Sequence, residues 1–187
     1  MEHAQAKRIV EAILFVFGGP VAFKRIQEVL PELDNQTVRQ FIQALNDEYA
    51  ASRRAFHVQE VAGGYQLLTH HDLSPWVTHA LERPKPDSVS TASLETLAIV
   101  AYRQPITKAE IEAIRGVDVT AALDTLLERQ FVRIAGRRQT PGRPFLYATT
   151  HEFLRHFGLK SIEALPPMAM PTVPEHPEPV SAPPAVA

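Results

Sequence analysis

The sequence predicts a mostly α fold with small β-hairpins (α+β), arranged as two tandem winged helix-turn-helix domains. Three observations carry that expectation. Between Leu94 and Thr150, three helix patterns are followed by a hairpin pattern. The same order runs from Gln5 to Thr69, so one supersecondary plan is present in two divergent copies. A short, stiff, Pro-rich break, Arg83-Pro84-Lys85-Pro86, lies between the copies.

In the second copy, the apolar pattern of Leu94-Glu95-Thr96-Leu97-Ala98-Ile99-Val100-Ala101-Tyr102 stops at Arg103-Gln104-Pro105, because proline cannot continue the helical hydrogen-bond ladder. A second helix must begin at once. Thr107 and Glu110 stand at capping-box spacing, and Ile106 can staple onto Ile111. Gly116 supplies a left-handed stop and Asp118 can cap the third helix, in which Ala122, Leu123, Leu126 and Leu127 repeat at helical spacing. Two strand-like runs follow, Phe131 to Ala135 and Phe145 to Thr149, joined by a turn that contains Pro141-Gly142.

In the first copy, an apolar helix from about Gln5 to Phe17 ends at Gly18-Gly19-Pro20, and a short helix spans about Phe23 to Leu30. Asp34 or Asn35 can cap a third helix with Val38, Phe41, Ile42 and Leu45 on its apolar stripe. Phe56 to Ala62 then pairs through Gly63-Gly64 with Tyr65 to Thr69. A closing helix over Asp72 to Leu81 is expected around Trp76, Val77 and Leu81. Beyond Thr150, His151 to Phe157 reads as a short helix ended by Gly158, and Ser161 to Leu165 as another turn. The expected division is therefore a domain over 1–82, a linker over 83–92, a domain over 93–165 and a tail over 166–187. The tail holds eight of the sixteen prolines and no apolar period, so disorder is expected there.

A domain of about 75 residues buries only roughly 60% of its unfolded surface and is marginal alone, so such domains often lean on a partner. The run Ile13-Leu14-Phe15-Val16-Phe17 is apolar all round its helix. It invites burial between subunits, with Ile9, Ile13, Phe17 and Phe23 as dimer-interface candidates; the alternative is a helix central to its own domain. The chain has no cysteine, which excludes a disulfide framework and thiolate metal sites and fits a reducing compartment. No apolar segment reaches the roughly 20 residues of a membrane helix, and the N-terminus lacks a signal-peptide pattern. A soluble, cytoplasmic protein is expected.

Many winged helices read DNA through a basic third helix and wing. Here the net charge is −2. The third helix of the second domain would expose Thr120, Ala121, Asp124 and Glu128, which cannot pair with phosphates. In the first domain, Arg39 is accompanied by Gln36, Gln40, Gln43 and Asp47. The contrary signal is Arg129, Arg133, Arg137, Arg138 and Arg143, one basic strand and wing without an acid. Of these, Arg133, Arg137, Arg138 and Arg143 are weak phosphate-contact candidates, against a solvated wing or a docking surface for an acidic protein.

No catalytic residues, cofactor or metal are expected. His151 and His156 resemble a zinc-protease pair, but a step of five residues turns a helix by roughly 140°, so both rings cannot face one metal. His70-His71-Asp72 ends a hairpin, where adjacent side chains point to opposite faces. No Gly-rich phosphate loop is present, and Ser93, the hydroxyl nearest a helix start, has the simpler role of a cap.

Several long motifs resemble the bacterial segregation and condensation protein B family. They are Lys7-Arg8-Ile9-Val10-Glu11-Ala12-Ile13-Leu14-Phe15, the run from Leu94 through Arg103-Gln104-Pro105-Ile106-Thr107, Ile114-Arg115-Gly116-Val117-Asp118, and Gly142-Arg143-Pro144 with Tyr147 and Thr149-Thr150. Phe153-Leu154-Arg155-His156-Phe157-Gly158-Leu159 followed by Leu165-Pro166-Pro167 is similar to the family's domain end. The likeness spans about residues 5 to 165; the linker and tail follow no family pattern. It implies a non-catalytic subunit of the bacterial condensin, with a kleisin (segregation and condensation protein A) and, through it, an SMC ATPase as partners. It further implies a homodimer formed mainly by the N-terminal domain, a kleisin middle segment bound across the C-terminal domains, weak or absent direct DNA binding, no membrane, and a nucleoid-associated location through the complex. The kleisin-binding candidates are the turn Tyr102, Arg103, Gln104, Pro105, Ile106 together with Arg115, since an aromatic, a guanidinium and a fixed turn make a good anchor. Against this, Tyr102 and Ile106 are equally core and staple residues, and Arg103 a helix-end cation. The alternative function is a tandem winged-helix DNA-binding regulator, whose binding would weaken steeply with salt.

Overall fold

The computed structural model describes residues 2–81 and 89–167. The linker motif Arg83 to Pro86 and the tail from Met168 onward lie outside the described residues.

The first half runs α1 (His3–Val16), β1 (Val21–Ala22), α2 (Phe23–Val29), α3 (Asn35–Ala51), β2 (Phe56–Val61) and β3 (Gly64–Thr69), closed by α4 (Ser74–Ala80). The second half repeats the plan as α5 (Thr91–Arg103), β4 (Ile106–Thr107), α6 (Lys108–Arg115), α7 (Thr120–Glu128), β5 (Val132–Arg137), β6 (Phe145–Thr149) and α8 (His151–His156). Each half carries a three-stranded antiparallel sheet, in the orders β1-β3-β2 and β4-β6-β5. Three helices and a hairpin whose inner strand is completed by a short first strand make a winged helix-turn-helix, twice.

The local chemistry sets the boundaries. Asp34, not Asn35, caps α3: its Oδ1 accepts the Thr37 N–H at 2.7 Å. Thr107 and Glu110 form the complete capping box of α6, and Gly116 ends that helix at φ 70°. Asp118 sits one residue outside the position expected of it. Val119 is the N-cap of α7, while Asp118 Oδ1 accepts the Thr120 N–H at 2.9 Å. The cap of α5 is Ser90, whose Oγ accepts the Ser93 N–H at 3.2 Å; Ser93 itself is buried, and Thr91 and Ala92 belong to the helix rather than to a linker.

Two apolar clusters lie beneath the two sheets. Val10, Leu14, Ile26, Val38, Leu45 and Val58 are among the residues of the first, with Ile9, Ile13 and Phe23 packed half-buried against it. Leu97, Val100, Ile111, Leu123, Leu126 and Tyr147 belong to the second. Helix α4 forms as expected, but Trp76 is 70% exposed and no residue of the helix is buried. The two halves also touch: the first hairpin turn donates its Ala62 and Gly63 N–H groups to the carbonyls of Leu159 and Lys160, at 2.8 and 2.9 Å.

The turn is Ala62-Gly63, with φ values of 48° and 70°, so Gly64 is the first residue of β3 and not part of the turn. A Cβ at Gly64 would lie 2.8 Å from both the carbonyl carbon and oxygen of Val21, the backbone of β1 paired beside it. Gly64→Ala is therefore expected to cost about 2 kcal/mol through forced backbone displacement. A urea midpoint equal to that of the parent chain would show that β1 is not held this closely.

Candidate partner-binding surface

Three surfaces bear on partner binding: the apolar side of α1, the turn between α5 and α6, and the second wing.

Helix α1 buries Ala6, Val10 and Leu14. Its opposite side presents Ile9, Ile13, Val16 and Phe17, which with Ala12 and Arg8 line an open groove of about 570 Å³. Val16 is 78% and Phe17 43% exposed, so helix periodicity leaves an apolar stripe outside the domain's own core. Of the dimer candidates, Phe17 is the exposed one; Ile9, Ile13 and Phe23 also serve the core.

The turn expected as a single anchor is divided among several tasks. Ile106 is buried in β4, opposite Tyr147. Gln104 faces inward: its Oε1 accepts from the N–H and Oγ1 of Thr149 at 2.7 and 3.0 Å, fastening the end of α5 to β6. Tyr102 is half-buried, and its hydroxyl donates to the Pro166 carbonyl at 2.7 Å. It borders a cavity of about 340 Å³ between α5 and the chain after α8, walled by Leu94, Ala98, Phe157 and Leu165. Arg115 does not reach the turn. Its Nη1 donates to the Ala92 carbonyl and to Thr96 Oγ1, its Nη2 to Glu95, and its side chain is 12% exposed. Arg103 and Pro105 remain exposed, beside a groove whose floor includes Ile114 and whose far side is Arg138.

On the wing, Arg138 is tied to Glu110 at 2.7 Å. Arg137 lies 4.0 Å over the Phe145 ring and donates to the Arg143 carbonyl at 3.3 Å. Among the described residues, Arg133, Arg137 and Arg143 have no carboxylate within ion-pair distance. The exposed side of α7 is Thr120, Ala121, Asp124 and Glu128, as read from the sequence. Among the described residues, no group of three or more His, Cys, Asp or Glu is placed to hold a metal ion, and no helix is long and apolar enough to cross a membrane.

Glu110 joins the wing to the capping box. The bond from Arg138, then those from Thr107, lower its carboxyl from the ordinary 4.5 to about 2. A depressed acid stabilises the fold fully above pH 4.5 and loses that contribution as pH falls toward about 2. Glu110→Ala is expected to flatten this part of the acid limb, and Thr107→Ala to cost about 1 kcal/mol at neutral pH. Urea midpoints at pH 7 and pH 3 check both; an unchanged acid limb in the Glu110 variant contradicts the first.

The chain matches the family model described as "Segregation and condensation complex subunit ScpB" over residues 8–168. It is 48% identical to segregation and condensation protein B of Symbiobacterium thermophilum, with 89% of this chain and 75% of that one covered. It is 44% identical to that of Geobacillus thermodenitrificans, covering 87% and 78%. Among solved structures, ScpB from Mycobacterium tuberculosis is 30% identical, covering 85% of this chain and 98% of that one, with a TM-score of 0.40. By a match that takes in both winged helices, the chain belongs to the ScpB family of segregation and condensation complex subunits.

Proposed function

We propose that this chain is a non-catalytic accessory subunit of a bacterial SMC-kleisin condensin and supports chromosome condensation and segregation. It dimerises through the apolar side of α1 in the domain over 1–82, and the domain over 93–165 binds the middle segment of the kleisin. The SMC ATPase is reached through the kleisin, and the protein is cytoplasmic, associated with the nucleoid through the complex. The observation that carries this reading is the family match over residues 8–168. The exposed Val16 and Phe17 support a dimer, and the acidic outer side of α7 disfavours direct reading of duplex DNA. A rigid dimer that clamps a flexible kleisin strap biases the open or closed state of the ATPase ring if it binds one state in preference.

Light scattering of the purified chain, alone and with the middle segment of its own kleisin, tests the reading at low and moderate salt. A dimer that gains the segment with little loss at higher salt is expected. A chain that ignores the segment but shifts duplex DNA in a salt-sensitive way would reject it in favour of a DNA-binding regulator, whose contact would be the arginines of the wing.

A further inference from the structure

The two halves of the chain keep separate cores. With their half-buried neighbours, the first apolar cluster runs from Ala6 to Leu67 and the second from Val89 to Leu165, and no residue belongs to both. The contact that joins the halves is polar. The turn of the first wing, Ala62-Gly63, lies against the chain that leaves α8, where three consecutive carbonyls accept hydrogen bonds from the first hairpin. Gln59 Nε2 donates to the Gly158 carbonyl at 3.2 Å, the Ala62 N–H to that of Leu159 at 2.8 Å and the Gly63 N–H to that of Lys160 at 2.9 Å.

The backbone prepares both sides of this contact. Val61 pairs with Gly64, so Ala62 and Gly63 are the two central residues of a tight hairpin turn, and both have positive φ. The N–H groups of such central residues have no partner in their own ladder and are ordinarily left to water. Here the other half satisfies both. On the acceptor side, Gly158 ends α8 at a φ of 65°, and the Leu159 N–H returns to the Leu154 carbonyl at 2.9 Å. That left-handed stop turns the chain, and the carbonyls of residues 158, 159 and 160 all meet the first wing. The contact is specific but weak. Its hydrogen bonds are between uncharged groups, each of which contributes little net stability when water can replace the partner. Gln59, Ala62 and Leu159 are half-buried, and Gly63 and Lys160 are exposed, so water reaches it. Domains resist relative motion when the surface between them is large and apolar, and this one is neither.

We propose that the first wing is a clasp that holds the second winged helix in one orientation to the first and can release it, giving the chain a clasped and an open form. The tip of this wing is thereby used on its own chain and not on an outside partner. Because α1 belongs to the first half, releasing the clasp changes how far apart a dimer carries its two second domains. The clasp is a property of the chain alone, so it stands or fails separately from the kleisin-binding function.

The chain has no cysteine, so a labelled pair can be introduced cleanly. Gln40→Cys on α3 and Asp124→Cys on α7, both exposed positions, carry spin labels in the full chain, mixed with an excess of unlabelled chain so that a dimer holds one labelled copy. Double electron resonance reads the distance between the halves. One narrow distance is expected for the parent chain. Inserting a pair of glycines between Ala62 and Gly63 should broaden the distribution at least about twofold, and Gln59→Ala, which removes only the side-chain bond, should broaden it less. Hydrogen exchange on the unsubstituted chain is the second measurement and does not depend on the inserted turn. The Ala62 and Gly63 amides are expected to exchange at least about 10-fold slower than an unprotected backbone, yet faster than the amides of the β2–β3 ladder, because the clasp opens while the hairpin stays intact. Equal distance distributions in the parent and the insertion variant, or unprotected exchange at both amides, would overturn the clasp. Protection equal to that of the ladder would overturn its release.

Discussion

Replacing Val16 and Phe17 together by aspartate is expected to yield a folded monomer. The two residues close the apolar stripe of α1 that starts at Ile9 and Ile13, on the opposite side from Ala6, Val10 and Leu14, which are buried. Only Val16 and Phe17 in that stripe are exposed enough to be changed without cutting into the first core. Ile9 and Ile13 pack against that core, so their replacement would confuse loss of fold with loss of association. A central apolar anchor typically contributes about 2 kcal/mol or more to an interface, so losing two weakens a dimer roughly 1,000-fold. Two buried carboxylates facing their symmetry mates would add repulsion. Light scattering gives the mass and circular dichroism the fold. A dimer of unchanged affinity would mean that α1 is not the interface and that its stripe is covered by something else.

The parts of this fold legible in the sequence are those specified over a few neighbouring residues. The capping box of Thr107 and Glu110, the left-handed stop at Gly116 and the cap at Asp34 depend on spacings of three or four, and each stands within a residue of its expected place. The stripe Val38, Phe41, Ile42 and Leu45 is buried as expected, and it is legible because its steps of three and four residues repeat over about two turns of a single helix. The first strand of each sheet, Val21–Ala22 and Ile106–Thr107, is too short to show any period, and only its pairing with a distant β3 or β6 makes it a strand. The closing helix expected around Trp76, Val77 and Leu81 forms, but burial is decided by what the rest of the chain places above it, and Trp76 stays at the surface.

The candidate site was legible as a region and not as a set of roles. The sequence marks the five consecutive residues Tyr102 to Ile106, with Arg115, as one patch, with core and staple roles for Tyr102 and Ile106 as the alternative. The backbone turns there, so neighbours face apart: Tyr102 toward the carbonyl of Pro166, Gln104 into the hairpin, Ile106 into the core, and Arg103 outward. The residues that complete the exposed groove, Ile114 and Arg138, come from another helix and from the wing. Spacing did not single out Ile114: it stands three residues after Ile111 on the same helix, which predicts one shared stripe, yet Ile111 is buried and Ile114 is 55% exposed.

Arg115→Ala is expected to destabilise the second winged helix by about 3 kcal/mol while leaving kleisin affinity unchanged under conditions where the variant is folded. The guanidinium is held at 2.8 Å from the Ala92 carbonyl, 2.9 Å from Thr96 Oγ1 and 2.6 Å from Glu95, and so bolts the last turn of α6 to the first turns of α5. Hydrogen bonds to a charged group contribute about 1.5–3 kcal/mol where water is excluded, and only 12% of this side chain is exposed. Thr96 Oγ1 also donates to the Ala92 carbonyl at 2.9 Å, so truncation leaves that pair partly satisfied and sets a ceiling on the loss. Glu95 is mostly solvated and contributes little by itself. Arg115→Lys should fall between the parent chain and the alanine variant, since a single ammonium cannot reproduce a fork that reaches three acceptors. Urea unfolding with an unchanged slope separates stability from compactness. A variant that keeps its midpoint within about 0.5 kcal/mol but loses kleisin tenfold would return Arg115 to the binding surface. It would also mean that α5 and α6 are held together by their apolar contacts alone.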